Sequence, residues 1–238
     1  NDLSEVIRTM PGVNLTGNVL ANTLTGNFAS NAIDGGDGDD TIDGGLGADT
    51  LTGGPGADTL SVDNASDQAT GDSGTDTVES SVSTSLGAGV ENGVLLGSAN
   101  INLTGNALAN TLTGNGGENT VTGAEGNDVI VGSGGTDQLV GGIGDDTYVP
   151  SSVDQTLAEN ADEGIDTVSF ADFGQPVTLS LGANIENATG SAYADTLTGN
   201  TLANAIVGGG GNDTLDGAAG VDQIAGGAGD DSIAVDAT

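Results

Sequence analysis

Residues 35–61 read GGDGDDTID GGLGADTLT GGPGADTLS, which is one nonapeptide pattern repeated three times. Each copy begins with a six-residue turn of the form Gly-Gly-x-Gly-x-Asp and ends with three residues centred on an apolar side chain, Ile42, Leu51 or Leu60. The glycines permit the positive φ angles that a tight chain reversal needs. Three residues of extended chain span about 10 Å. The stretch therefore predicts short strands that alternate with glycine-rich turns.

The nine-residue period recurs in three blocks, residues 15–60, 103–148 and 188–233. Of the eighteen apolar centres, all are Leu, Ile or Val except Tyr148 and Ala188. Two nonapeptides make one coil with a strand on each of two opposite sides, and neighbouring coils bury one another's apolar face. A nine-residue spacing does not keep one face of an α-helix. We therefore predict an all-β chain, a parallel β-roll (β-solenoid) over residues 15–238, with irregular coils joining the blocks.

The first fourteen residues do not follow the repeat. Asp2 and Glu5 have the spacing of a capping box and Pro11-Gly12 is a stop signal, so residues 1–14 are predicted to form a short N-terminal helix of about two turns that caps the roll. Residues 2–18 also resemble the start of the plug domain of TonB-dependent receptors of the ferric enterobactin type. The resemblance ends near Asn18, and no transport function is carried over.

Charge and hydropathy argue against two classes of partner, nucleic acids and the membrane interior. Thirty-five acids face one base, Arg8, which gives a net charge of −34. Nucleic-acid phosphates are bound by Lys and Arg, so no nucleic-acid partner is expected. No apolar run is long enough for membrane insertion.

The residue types argue against catalysis. Cys and His are absent, which removes thiol nucleophiles, zinc thiolates and Ser-His-Asp triads. Paired carboxylates of the kind that glycosidases use do occur. In so regular a repeat they are better explained as metal ligands or solvated turns. We therefore expect that the chain is not an enzyme.

The turns predict metal sites. Turns of repeats n and n+2 lie one coil apart, close to the strand spacing of about 4.8 Å. Carbonyl oxygens of the second and fourth turn residues and carboxylates of the sixth then form an all-oxygen cage, which suits calcium, whereas zinc or copper would require His or Cys. We predict several Ca²⁺ ions. The predicted ligands are Gly36, Gly38, Asp40, Gly45, Gly47, Asp49, Gly54, Gly56, Asp58, Gly126, Asp128, Asp137, Gly142, Gly144, Asp146, Gly209, Gly211, Asp213, Asp222, Gly227, Gly229 and Asp231.

The sites are not equivalent. Two carboxylates offset more of a cation's lost hydration than one, so turn pairs that end in two aspartates are predicted to fill first. These pairs are Asp40/Asp58, Asp128/Asp146 and Asp213/Asp231. The mixed pairs are Asn31/Asp49, Asn119/Asp137 and Asn204/Asp222. Turns 17–22, 105–110 and 199–204 end in Asn and are expected to stack with little or no metal.

From Leu15 onward, the turns and the strand residue that follows resemble the nonapeptide of RTX (repeats-in-toxin, haemolysin-type) calcium-binding proteins. The resemblance implies type I secretion, folding in extracellular calcium and a secreted or cell-surface location. We expect a structural segment of a bacterial adhesin, surface-layer or matrix protein. The alternative is the C-terminal secretion and folding module of a secreted toxin or hydrolase. Open strand edges at the ends of a solenoid also predict end-to-end self-association.

Overall fold

The computed structural model describes residues 5–6, 12–161 and 163–234. In this part of the chain every regular element is a strand, and all pairings between strands are parallel. The odd-numbered strands form one sheet of 13, paired in numerical order. They are β1 Glu5–Val6, β3 Thr23–Thr25, β5 Thr41–Asp43, β7 Thr59–Val62, β9 Thr77–Ser80, β11 Asn92–Leu95, β13 Thr111–Thr113, β15 Val129–Val131, β17 Thr147–Val149, β19 Thr167–Ser169, β21 Asn187–Thr189, β23 Ala205–Gly210 and β25 Gln223–Ala228.

The even-numbered strands form the opposite face as three shorter sheets of four, five and four strands. The first contains β2 Leu15–Thr16, β4 Ala32–Asp34, β6 Thr50–Thr52 and β8 Gln68–Thr70. The second contains β10 Thr84–Ser85, β12 Leu103–Thr104, β14 Thr120–Glu125, β16 Gln138–Ile143 and β18 Thr156–Ala158. The third contains β20 Thr178–Ser180, β22 Thr196–Thr198, β24 Thr214–Asp216 and β26 Ser232–Ala234.

The register follows the sequence period. Thr23 pairs with Thr41, Thr41 with Thr59, and Thr59 with Thr77. Each step is 18 residues, or two nonapeptides, so every second repeat stacks on the same face. The predicted parallel β-solenoid is confirmed.

The core is a thin double column of apolar side chains. Ile42, Leu51 and Leu60 are fully buried, and their threonine neighbours on the strands suit a pleated, half-buried surface. Burying one such side chain contributes about 1.5–3 kcal/mol. Of the eighteen periodic positions, all are buried except Ile224 and Ile233, which lie in the last described coil.

The segments between the blocks contribute strands to the same sheets with a changed step. Thr77 pairs with Asn92, 15 residues on, and Thr147 pairs with Thr167, 20 residues on. The first segment adds four strands, β8 to β11, and the second adds three, β18 to β20. Because three is odd, the third block begins on the opposite face from the first two.

The structure corrects the expectation for the N-terminus where it describes it. Glu5 and Val6 form β1, in which Glu5 pairs with Leu24 and Val6 with Thr25. These two residues are therefore extended and not helical. Residues 12–14, the last of the predicted segment, are not helical either, and residues 1–4 and 7–11 lie outside the described residues.

Candidate metal-binding edges

The turns stack along two edges of the roll. Turns before odd-numbered strands form the first edge, and turns before even-numbered strands form the second. The last residues of the first-edge turns are Asn22, Asp40, Asp58, Asp76, Glu91, Asn110, Asp128, Asp146, Asp166, Glu186, Asn204 and Asp222. Those of the second edge include Asn31, Asp49, Asp67, Asn119, Asp137, Gln155, Asp195, Asp213 and Asp231.

A carboxylate ladder joins consecutive coils. The backbone N–H of Asp40 donates to Oδ1 of Asp58 at 2.8 Å. The same bond links Asp128 to Asp146 at 2.8 Å and Asp213 to Asp231 at 3.0 Å. The structure therefore brings together all three predicted Asp/Asp pairs. The mixed pairs meet in the same way, with Asn31 N to Asp49 Oδ1 at 2.7 Å, Asn119 N to Asp137 Oδ1 at 2.8 Å and Asn204 N to Asp222 Oδ1 at 2.9 Å.

The second carboxylate oxygen of most ladder aspartates is buried without a partner. In each of these residues Oδ1 takes a backbone N–H, while Oδ2 has no hydrogen-bond donor among the described residues. A buried oxyanion without a donor or counter-ion is costly, and a divalent cation would satisfy several at once. The residues are Asp40, Asp49, Asp58, Asp128, Asp146, Asp166 and Asp213.

The position of this free oxygen explains the first glycine of each turn. A Cβ on Gly53 would collide with Oδ2 of Asp58, and one on Gly208 would collide with Oδ2 of Asp213. The first turn residue must therefore lack a side chain. The sequence prediction omitted this glycine from the site, although its recurrence at the start of the Gly-Gly-x-Gly-x-Asp turns was a visible signal.

The second and fourth turn glycines leave room for carbonyl oxygens between coils. A Cβ on Gly54 would overlap the carbonyl oxygen of Gly36, and one on Gly56 that of Gly38. These carbonyls thus face the next coil, as ligands for an ion between coils would have to. All predicted site glycines have φ between 73° and 151°, a region that glycine favours. They are Gly36, Gly38, Gly45, Gly47, Gly54, Gly56, Gly126, Gly142, Gly144, Gly209, Gly211, Gly227 and Gly229.

The buried carboxyls are perturbed by their surroundings. Burial raises the pKa of Asp58 to about 6, and the negative charges of Asp76 and Asp40 add to the effect. Burial likewise raises the pKa of Asp146 to about 6, with Asp128 and Glu159 contributing. Desolvation also raises the pKa of the Asp40, Asp49, Asp128, Asp137 and Asp213 carboxyls. Without a cation nearby, burial therefore disfavours the charged form of the ladder carboxyls.

In most turns that end in Asn, the neutral side-chain amide is fully hydrogen-bonded without a cation. Asn22 is the exception, because its buried Nδ2 has no partner among the described residues. Asn110 Oδ1 accepts the backbone N–H of Asn106 at 2.8 Å, and its Nδ2 donates to the carbonyl of Val90 at 3.0 Å. The side-chain amide of Asn106 also donates to the carbonyls of Gly87 and Val90, both at 2.7 Å. The amides therefore satisfy carbonyls that would otherwise be free to face an ion. This geometry favours the interpretation of these turns as metal-free.

The ladders continue beyond the three blocks, first with the regular step of 18 residues and then with steps of 15 and 20 residues that the nine-residue period does not predict. Asp58 N donates to Asp76 Oδ1 at 2.9 Å, and Asp76 N donates to Glu91 Oε2 at 2.8 Å. Further along the first edge, Asp146 N bonds to Asp166 Oδ1 at 2.9 Å, and Asp166 N bonds to Glu186 Oε2 at 2.8 Å. Glu91, Asp166 and Glu186 were absent from the predicted ligands. On the second edge, Asp49 N donates to Asp67 Oδ1 at 2.9 Å.

The surroundings of three predicted ligands give them less need of a bound cation than the others have. Oδ2 of Asp137 accepts a hydrogen bond from Nε2 of Gln155 at 2.6 Å, so an amide already satisfies it. Asp222 and Asp231 are only half-buried, and less desolvation means less need of a cation. The Asp213/Asp231 pair also lies on the second edge, whereas Asp40/Asp58 and Asp128/Asp146 lie on the first.

Comparison with known families agrees with this geometry. The family model of the RTX calcium-binding nonapeptide repeat matches residues 16–51, 52–80, 104–139, 113–148 and 198–233. These stretches cover more than half of the chain, which therefore belongs to this family and is a calcium-binding structural repeat region. The resemblance of residues 2–18 to a TonB-dependent receptor receives no support. No curated protein matches the chain. None of the described residues forms a helix long and apolar enough to cross a membrane.

The ladder predicts unequal roles for two aspartates. Asp58 lies between Asp40 and Asp76, so Asp58→Asn weakens two carboxylate pairs. Asp49 lies between Asn31 and Asp67, so Asp49→Asn weakens only one. We expect Asp58→Asn to raise the calcium midpoint of folding about tenfold, a loss of roughly 1.4 kcal/mol, and Asp49→Asn to raise it less.

The comparison is made by calcium titration followed by circular dichroism. The exposed Asp37 provides the control, since Asp37→Asn removes the same charge outside the ladder. Equal shifts for Asp58→Asn and Asp49→Asn would show that the ranking is wrong.

Proposed function

We propose that the chain is a non-catalytic structural segment of a secreted or cell-surface bacterial protein of the adhesin, surface-layer or matrix kind, and that it folds on binding extracellular calcium. The observation that carries the proposal is the continuity of the sheet. Thirteen parallel strands follow one another without interruption from β1 to β25. At about 4.8 Å per strand, this sheet is roughly 58 Å long.

Calcium would supply the positive charge and the coordination that the buried ladder carboxylates lack. Seven aspartates hold a buried oxygen with no donor among the described residues, and the whole chain carries a net charge of −34. Oxygen ligands without His or Cys suit a hard cation. Sites in extracellular modules bind calcium at about 10⁻⁴–10⁻³ M, so the roll would fold outside the cell and stay unfolded in the low calcium of the cytoplasm.

The irregular coils favour a load-bearing role over a purely export-related one. Residues 61–94 and 149–187 contain the 15-residue and 20-residue steps that interrupt the nonapeptide pattern, yet they contribute strands that pair with the blocks on either side. A secretion signal or folding module has no need of an unbroken sheet across such segments. A rod that transmits force does need it.

Stretching single molecules from both ends tests this proposal. In millimolar calcium we expect the chain to resist extension and then to unfold cooperatively. In a chelator it should extend smoothly as an unfolded polymer. Magnesium at the same concentration serves as the ionic-strength control, because it demands a stricter geometry and dehydrates reluctantly. Identical force–extension curves with calcium and with chelator would refute the proposal.

A further inference from the structure

Three carboxylates meet at the end of the second block, where the nonapeptide pattern stops. Oxygens of Asp146, Glu159 and Asp166 all lie within 4.8 Å of one another. Asp146 ends the last regular turn of the block, and Asp166 holds the same place one coil later. Glu159 directly follows β18, at the position that glycine occupies in a regular turn. An irregular coil thus adds a third acid to a ladder pair.

The two aspartates of this cluster each carry a buried oxygen without a hydrogen-bond donor. Both are 1% exposed, and Oδ2 of each has no hydrogen-bond donor within the described chain. Their other oxygens are already used, since Asp128 N donates to Asp146 Oδ1 at 2.8 Å and Asp146 N donates to Asp166 Oδ1 at 2.9 Å. A bound cation or protonation would satisfy the remaining oxygen of each aspartate.

Glu159 and Asp146 converge on one point. A Cβ placed on Gly141 would collide with Asp146 Oδ2, with Glu159 Oε2 and with the hydroxyl of Tyr148. The three oxygens therefore surround the small space above this glycine. In regular turns the equivalent space holds the oxygen of only one aspartate, as above Gly53.

Tyr148 holds the glutamate in place. Its ring is fully buried at a core position that Leu, Ile or Val occupies in most other repeats. Its hydroxyl accepts the N–H of Gly141 at 2.7 Å and donates to Glu159 Oε2. Tyr148 is thus a positioning residue: it fixes one oxygen of Glu159 beside the two aspartates.

We propose that Asp146 of the last regular turn forms a calcium site together with Glu159 and Asp166, two residues outside the nonapeptide pattern. Tyr148 positions this site, which is tighter than the sites between regular turns. The choice of calcium rests on the proposed function. The higher affinity follows from a third carboxylate, because ligand charge tunes calcium affinity. Site rigidity has the same effect, and the buried tyrosine supplies it.

Terbium luminescence tests the site directly. The chain has two tyrosines and no tryptophan, so Tyr193→Phe leaves Tyr148 as the only tyrosine that can sensitise a bound lanthanide. In this background we expect Tb³⁺ to give tyrosine-excited emission that calcium suppresses. Glu159→Gln should raise the half-saturating Tb³⁺ concentration at least about tenfold, the effect of losing roughly 1.4 kcal/mol. Glu125→Gln, which removes the same charge at an exposed position, should leave it unchanged.

A second variant distinguishes the positioning role of the Tyr148 hydroxyl from the contribution of its ring to the fold. Tyr148→Phe keeps the buried ring and loses the hydroxyl. Calorimetry with calcium should then show that the tightest class of site is weakened several-fold while the number of weaker ions stays the same. Unchanged terbium and calcium affinities in Glu159→Gln would overturn the proposal, as would emission that survives when both tyrosines are Phe.

The outcomes also separate this site from the proposed function. Calcium-induced β-structure that is indifferent to Glu159→Gln would contradict the site alone. A Glu159-dependent lanthanide site in a chain whose fold ignores calcium would contradict the proposed function alone.

Discussion

A chain in which the seven aspartates with unpaired oxygens are changed to asparagine is expected to fold without calcium. Each substitution removes a buried negative charge, and the turns that already end in Asn show that an amide can bond to its own turn and to the preceding coil. The variant should hold native-like β-structure in chelator and respond only weakly to added calcium. The substituted residues are Asp40, Asp49, Asp58, Asp128, Asp146, Asp166 and Asp213.

The matched control removes seven charges elsewhere. Its acids are exposed, and they change to the corresponding amides. This variant should still require calcium, because self-repulsion at the surface is screened by salt whereas a buried charge is not. Equal calcium-free folding of the two variants would mean that net charge, rather than the buried ladder, sets the calcium requirement. The control residues are Asp37, Asp39, Glu118, Glu125, Asp154, Asp172 and Asp230.

Acid is expected to replace calcium in part. Burial raises the pKa of Asp58 and Asp166 to about 6, and that of Glu159 to about 7. A carboxyl whose pKa is higher in the folded state than in the unfolded state favours folding when protonated. The stability it contributes is fully present below the unfolded pKa and is lost as pH rises through the folded pKa. The calcium-free chain should therefore gain β-structure as pH falls from about 8 to about 5.

The same protonation should oppose calcium binding, because metal ligands must be deprotonated. The calcium midpoint should then rise over this pH range while the calcium-free signal grows. Both trends can be followed by circular dichroism. The control is the seven-asparagine variant with Glu159→Gln added, which lacks Asp58, Asp166 and Glu159 and should show much weaker trends. A calcium-free wild-type signal that stays flat or falls on acidification would contradict the assigned role of the buried carboxyls.

Much of the β-roll could be predicted because one nine-residue pattern repeats along the chain and each coil packs only against its neighbours. A nine-residue period places Ile42 and Leu60 on the same face two repeats apart, and the observed pairing of these residues follows directly. The same period brings Asp40 to Asp58. Thin cores of this kind depend on neighbouring coils alone, so the sequence of one block determines its structure without distant contacts.

The irregular coils could not be derived in this way. Glu91 and Asp166 occupy ladder positions after steps of 15 and 20 residues, and no fixed period predicts such steps. The hydrogen bond from Gln155 to Asp137 keeps the regular step of 18 residues, but the turn ends in Gln where the nonapeptide pattern has Asp or Asn. Near the N-terminus, local capping signals predicted a helix, whereas Glu5 and Val6 pair with β3, because the open edge of a sheet can override local preference.

Far-UV circular dichroism of the wild-type chain at neutral pH, in chelator and then in millimolar calcium, tests the central claim most directly. Buried carboxylate ladders without a cation should leave the chelated chain mostly disordered, and calcium should supply the free energy of folding. We therefore expect a disordered spectrum in chelator and a β-sheet spectrum after calcium is added. A full β-sheet spectrum in chelator would contradict the account.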